Sequence, residues 1–420
     1  MTGRSKIPRH WLILADDLTG AADCAIAFGR RGREAVVTWG DVTAAPHRHA
    51  AVWAHDAASR GLSADAAAAR HRNLLASLPI SGRFLFKKID STLRGQPAAE
   101  LAATLAHLKS TSQPLFGVLA PAFPATGRTT IDGRVLVEGR ALEDTELWRR
   151  DHTYPGADLV DVLATAGIRG EKIALADVRS ANLQAAFARL AEQGIVAVCD
   201  AGTERDLSLI AEAGLQASTA TVFIGSAGLA HALANLGAVA AAEPLRFPVR
   251  QFGTLTVVGS LAGASRAAAR RLRATGAVAH FPVDPEVLTG GHEDRANLAA
   301  SVMEHLAAGG DALVEISAKG SLNMSLGPQL AKNLAEVLNV TTPVIGALAA
   351  TGGETAAALL SGFGVNAIRL ADEIEPGVSL GLTLGSLSVP VVTKAGAFGN
   401  ENSLVRINER LRAVRTRGSF

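Results

Sequence analysis

Only two cysteines, Cys24 and Cys199, occur in 420 residues. That excludes a disulfide framework or a cysteine-based zinc site and fits a cytoplasmic protein. Aromatic residues are scarce as well, at 4% with a single tyrosine, so Ala, Val, Leu and Ile must fill the interior. Neither sign of charge dominates: 41 Lys and Arg against 39 Asp and Glu leave +2. Such a chain is not built to coat nucleic acid phosphates or an acidic membrane, and no partner of either kind is expected. Long hydrophobic runs are missing too, despite a mean hydropathy of +0.22. The longest charge-free stretch, Ala213 to Ala242, is broken by Gln216, Ser218, Thr219, Thr221, Ser226, His231 and Asn235, which excludes a membrane span. The first apolar run, Trp11 to Ala15, follows a short basic segment and ends at two aspartates, so it reads as a buried strand and not as a signal peptide.

What is present is alternation. Short apolar runs recur at Trp11 to Ala15, Glu34 to Trp39, Ala51 to Ala54, Arg83 to Lys87, Leu115 to Leu119, Ile195 to Cys199 and Thr221 to Ile224. Ala-rich segments with three- and four-residue apolar spacing, such as Ala64 to Ser77 and Ala181 to Glu192, lie between them. A second series starts at Thr254 to Val258 and continues through Ala312 to Ile316 and Ala367 to Leu370 to Val391 to Thr393. Pro244 and Pro248 mark a linker between the two series. The expected architecture is α/β with two domains, 1–243 and 244–420, each a mostly parallel sheet flanked by helices, with an active site in the cleft between them. Residues 121 to 158, dense in Gly, Thr, Arg and Asp with a hairpin-like Asp132-Gly133, read as a functional excursion from the sheet. The closing basic helix, Ser403 to Arg415, reads as a terminal helix with a solvated arginine face.

No GxxxxGK[ST] phosphate loop, GxGxxG fingerprint, HExxH or GxSxG elbow occurs. Polar and glycine-rich clusters stand instead at the ends of the expected strands, where open α/β sheets bind ligands. Asp16 and Asp17, with Asp23 a turn later, can orient a hydroxyl, accept its proton or hold Mg²⁺ through water, and Asp17 or Thr19 can equally cap a helix. Lys87, Lys88, Asp90, Ser91, Thr92 and Arg94 combine an anion clamp with hydroxyl-directed groups, a mixture suited to a polyhydroxy acid. Arg128, flanked by threonines, is a further anion contact. In the second half Gly259-Ser260, Gly352-Gly353-Glu354-Thr355 and Gly396-Ala397-Phe398-Gly399 form three glycine-bearing turns able to cradle phosphate. His47 and His49 read as a solvated loop, Gly225 to Gly228 as a strand-to-helix turn that either packs closely or touches ligand, and both cysteines as buried and inert.

Taken in order, ADDLTGAAD, KKIDSTLRG, APAFPATGRTT, GSAGLA, VVGS, ATGGETA, EPGVSLG and KAGAFG resemble the four-carbon acid sugar kinases, from about residue 11 to residue 402. The resemblance implies a sugar-acid-binding first domain, an ATP-binding second domain and a 4-phosphate product. It places the acid on Asp16, Asp17, Lys88, Asp90, Ser91, Arg94 and Arg128, and the nucleotide on Ser260, Gly352 to Thr355 and Gly396 to Gly399. Two departures stand out: Leu261-Ala262 follow Ser260 where relatives often carry Cys-Ser, and Ala395 stands where a serine is frequent.

The expected function is therefore an ATP- and Mg²⁺-dependent cytoplasmic kinase of carbohydrate metabolism. D-threonate is its favoured substrate, and D-erythronate, L-threonate and 3-oxo-tetronate are alternatives. Asp16 or Asp17 orients or deprotonates the terminal hydroxyl, while Lys88, Arg94 or Arg128 holds the carboxylate and Asp90 and Ser91 read the hydroxyls. The metal ligands and any homo-oligomer stay open. A Rossmann-type oxidoreductase and a non-catalytic sugar-acid sensor are the readings from other classes.

Overall fold

A computed structural model describes residues 10–41, 49–111, 115–150, 152–217, 220–237, 245–260, 262–317 and 326–419. His47 and Leu261 lie outside them. The chain divides into two units, Met1–Ala35 with Gly40–Ala241, and Val36–Trp39 with Ala242–Phe420.

In the first unit the strands run parallel in the order Val52–Asp56, Trp11–Ala15, Phe84–Lys88, Thr221–Gly225, Phe116–Ala120, Val196–Cys199 and Gly170–Ile173. Helices cover the faces, so a strand such as Trp11–Ala15 is buried throughout and reads as one continuous apolar run. Parallel strands bring all their carboxyl ends to one edge. Trp11–Ala15 also has the next strands in sequence on opposite sides of it, which opens a crevice beyond its last residue. The excursion after Phe116–Ala120 is a three-stranded antiparallel sheet, Arg128–Ile131, Arg134–Val137 and Arg140–Ala141. Its first turn places Asp132 and Gly133 at φ of 52° and 70°, the tight hairpin geometry expected of that dipeptide. Asp200 accepts hydrogen bonds from both of their amides.

In the second unit Ala279–Val283, Ala312–Ile316, Thr254–Val258, Ala347–Thr351 and Pro390–Lys394 are parallel neighbours. Val378–Gly385 and Val365–Glu375 then add antiparallel to the same sheet. The edge is finished by residues from far up the chain: Val36, Val37 and Thr38 pair antiparallel with Arg369, Ile368 and Ala367, and Trp39 donates its indole N–H to Ser361. Reading strands in chain order does not reveal this, because periodicity marks a strand without naming its partner. The later part of the expected linker is docked, with Phe247 buried and its amide bonded to the Gly418 carbonyl.

The last helix, Ser403–Arg417, corrects one expectation. Its arginines are more than a solvated face: Arg406 pairs with Glu375, Arg410 with Asp372, and Arg412 and Arg415 with the buried Asp311. Arginines of this helix thus stitch it to the sheet by charge. Among the described residues no helix is long and apolar enough to cross a membrane.

Candidate active site

The first strand delivers Asp16 and Asp17 to the crevice and stops. Asp17 is the N-cap of the helix Leu18–Gly29, accepting from the Gly20 amide at 3.0 Å and from the Thr19 hydroxyl at 2.8 Å. Capping leaves the carboxylate free for a second task. Arg60, from the segment after Val52–Asp56, donates to Asp16 at 2.7 and 2.9 Å and to Asp17 at 2.8 and 2.9 Å. One guanidinium therefore grips both aspartates, the planar fork serving two carboxylates at once. Burial works against the charge on Asp16, but Arg60 and then Lys88 outweigh it and hold the carboxyl below its ordinary range.

Asp56 stands beside this pair, in register with Ala15. One of its oxygens accepts from the Ala58 amide at 2.7 Å. Burial, reinforced by the charge of Asp17, pushes its carboxyl up to about 7.

Lys88 ends the next strand and is buried. Its ammonium reaches the start of the helix because residue 20 is glycine: a Cβ there would lie 2.8 Å from Lys88 Nζ and 2.5 Å from Asp17 Oδ1. Burial disfavours the lysine charge, yet Asp16 and Asp17 keep it above the ordinary range. Arg94 forks onto Asp90 at 2.9 and 2.8 Å, and Thr92 donates its hydroxyl to the same carboxylate. Against the cost of burial, Arg94 and then Arg60 hold Asp90 well below the usual carboxylate range. Ser91 is buried between them in sequence. Lys88 and Ser91 are each 4% exposed. Arg128 donates to the Thr126 carbonyl and feels the charge of Asp90.

Lys87 departs from the sequence reading. Adjacent strand residues face opposite sides of a sheet, and Lys87 lies on the far side, fully buried and 2.8 Å from Glu100. The Gly225 to Gly228 turn is a packed one: Ser226 donates to the Ala122 carbonyl at 3.0 Å, and a Cβ on Gly228 would lie 2.4 Å from that same oxygen. Both cysteine thiols are buried and pushed upward by desolvation, as expected of inert thiols.

In the second unit the three glycine turns converge because Thr254–Val258, Ala347–Thr351 and Pro390–Lys394 are adjacent parallel strands. Ser260 is their meeting point: a Cβ on Gly396 would lie 2.4 Å from its hydroxyl, and one on Gly352 would lie 3.6 Å from its Cβ. Gly352, at φ 91°, adopts a conformation that side chains avoid, and it opens the helix Gly353–Gly362. Neither that helix nor Gly263–Ala274 has a side-chain cap. Their first amides are thus available to an anion at the positive ends of two helices. Glu354 and Thr355 lie in the first turn, Thr355 close against Gly259. Ala397 and Phe398 form the tip of the third turn, Phe398 closing it by a bond to the Ala395 carbonyl at 3.2 Å and packing on Gly377. Gly399, at φ 80°, turns the chain into the last helix. Beneath these turns Lys394 is buried, its ammonium donating to the Ala395 carbonyl at 3.1 Å, and desolvation lowers it to about 8.

Residues 11–233 match the family model described as a sugar-binding N-terminal domain, and residues 255–404 match a nucleotide-binding C-terminal domain. The chain is 42% identical to D-threonate kinase of Cupriavidus necator, over 94% of this chain and 96% of that one. The chain belongs to the four-carbon acid sugar kinase family. It is 26% identical to D-erythronate kinase of Heliobacterium modesticaldum, over 93% and 94% of the two chains. A solved Haemophilus influenzae protein shares the fold, with a TM-score of 0.72 at 22% identity over 95% of this chain and 100% of that one.

For a chain of this kinase family, the sequence reading passed over three residues. Arg60 stands alone in HDAASRG, a stretch without density of charge or glycine; only its place just after a strand marked it. Asp56 lies past the expected run Ala51 to Ala54, and the observed strand extends to it. Lys394 was visible in KAGAFG, but its burial under the turn was not.

Proposed function

We propose that this chain transfers the γ-phosphoryl group of MgATP to the terminal hydroxyl of a four-carbon sugar acid, D-threonate first among the candidates, giving the 4-phosphate. The observation that carries the reading is the placement of Lys88 and Ser91 at the same strand ends as three guanidinium-held carboxylates, Asp16, Asp17 and Asp90. A cluster of charged and hydroxyl-bearing side chains gathered at neighbouring strand ends is suited to a small ligand that offers both acceptors and donors. A small acid rich in hydroxyls supplies the matching acceptors.

In this reading Lys88 and Ser91 donate to the oxygens of the acid, and Arg128 faces its carboxylate. The Asp90–Arg94 pair reads the inner hydroxyls. Asp17, fixed together with Asp16 by Arg60, orients the terminal hydroxyl for attack. The uncapped amides at Gly352 to Thr355 and the Ser260 and Gly396 to Gly399 turns receive the nucleotide phosphates, a fit supported by two helix N-termini without side-chain caps. MgATP supplies the phosphoryl group and part of the charge neutralisation that such transfer needs. With Asp16 and Asp17 already committed to Arg60, neither is assigned to the metal. The likeness to D-threonate kinase favours that acid over D-erythronate, L-threonate and 3-oxo-tetronate, and kinase family membership disfavours an oxidoreductase.

A coupled assay of ADP release with each of the four acids tests this. D-threonate should give the highest kcat/KM, by about tenfold or more, since a site built on hydrogen bonds discriminates strongly between hydroxyl arrangements. Acid-dependent ADP release from none of the four would overturn the reading.

A further inference from the structure

Behind the strand ends that present Arg60 lies a buried polar group with no part in the scheme above. Glu100, in the first turn of the helix Pro97–Thr111, is 1% exposed. One of its oxygens accepts from the Ser59 hydroxyl at 2.7 Å. The other lies 2.8 Å from the Lys87 ammonium and 3.6 Å from His71 Nε2. Lys87 also donates to the Lys88 carbonyl at 2.9 Å. Burial pushes the His71 imidazole down to about 4, so it brings no charge at neutral pH.

A buried ion pair is a weak way to stabilise a core, because desolvation offsets much of the attraction. Packed apolar side chains would serve the fold as well. What Lys87 and Glu100 do that apolar groups could not is hold Ser59.

That segment needs holding. Ala58 sits at φ 49°, in the left-handed region that a residue with a Cβ avoids. Its amide bonds Asp56 at 2.7 Å, the Ser59 amide bonds the Asp16 carbonyl at 3.1 Å, and the Ser59 side chain is anchored on Glu100. The next residue is Arg60, whose fork must meet two carboxylates together, an arrangement with little angular tolerance.

We propose that Glu100, kept in place by Lys87, is a positioning residue: through Ser59 it fixes the left-handed turn that aims Arg60 at Asp16 and Asp17. This rests on the reading of Arg60 and its two aspartates as part of the acid site.

The test is a double-mutant cycle on acid binding, read by calorimetry with D-threonate and accompanied by the KM for ATP. Glu100→Gln and Ser59→Ala should each weaken acid binding about tenfold, the scale of one hydrogen bond to a charged group, and leave the KM for ATP unmoved. In an Arg60→Ala background both substitutions should add nothing further. An equal penalty in the two backgrounds, or unchanged acid affinity in Ser59→Ala, overturns the positioning role. Ser59→Ala leaves the Lys87–Glu100 pair intact, so it decides the question if Glu100→Gln does not fold. Arg60→Ala binding the acid like the unaltered chain would instead overturn the assignment of the acid site itself.

Discussion

A side-chain carbon placed on Gly396 would lie 2.4 Å from the hydroxyl of Ser260. The two residues follow the carboxyl ends of different strands, and their contact makes separate glycine turns into one surface. Gly396→Ala is therefore expected to push the turns apart and raise the KM for ATP about tenfold or more, the usual scale of an overpacking penalty, with the KM for the acid unchanged. Initial rates at saturating acid check this. Adding Ser260→Ala should recover part of the loss, because the closest clash is with the hydroxyl.

Asp17 carries a capping role and a proposed hydroxyl-orienting role, and one substitution separates them. Asparagine caps a helix as well as aspartate does, so Asp17→Asn should melt near the temperature of the unaltered chain. Its kcat should fall about a hundredfold or more, with far less effect on ATP binding. Near-normal turnover would remove Asp17 from the reaction. Asp17→Ala, by contrast, should also lose about 1 kcal/mol of stability with the cap.

Asp56 predicts a pH dependence of stability. Its carboxyl ordinarily titrates near 3.8 and is raised to about 7 in the fold. Between those values the folded chain keeps a proton that the unfolded chain has released, so stability from this group falls as pH rises through that window. Asp56→Asn should flatten the decline in Tm between about pH 5 and pH 7. An unchanged Tm profile would show that Asp56 is not the group responsible.

Lys394 predicts the opposite sign. Burial lowers it from 10.5 to about 8, so the folded chain holds fewer protons than the unfolded chain across that window. Its contribution to stability accordingly rises with pH there. Nucleotide affinity should move the other way, falling as pH passes about 8 and the ammonium beneath the turns loses its charge. Binding of ATP measured from pH 7 to pH 9.5 should lose this step in Lys394→Met.

Where polar residues are dense in sequence, their gathering at one candidate site was legible. Asp16, Asp17, Lys88, Asp90 and Arg94 stand in two short runs at strand ends, and a parallel sheet gathers such ends automatically. The convergence of the three glycine turns was legible for the same reason, each glycine cluster directly following an apolar run. Arg60 was not, since a lone arginine after a strand gains meaning only when its partners are known. Lys87 shows the converse. It sits next to a site residue and shares its type, but the alternation of a strand sends it to the opposite face and to Glu100. The acidic partners of the last helix's arginines were not legible, because amphipathic spacing does not show that an arginine also reaches a buried acid such as Asp311.

The strand Val36–Trp39 bears on how such an enzyme can change over time. By completing the edge of the second sheet from within the first unit's stretch of chain, it interleaves the two halves covalently. Neither half is a cassette that could be exchanged by a single crossover near residue 241, because the recombinant would leave Ala367 to Arg369 facing a foreign strand or none. An uncovered edge of that kind invites association with other chains. Two halves laced together in this way are constrained to be inherited as one piece.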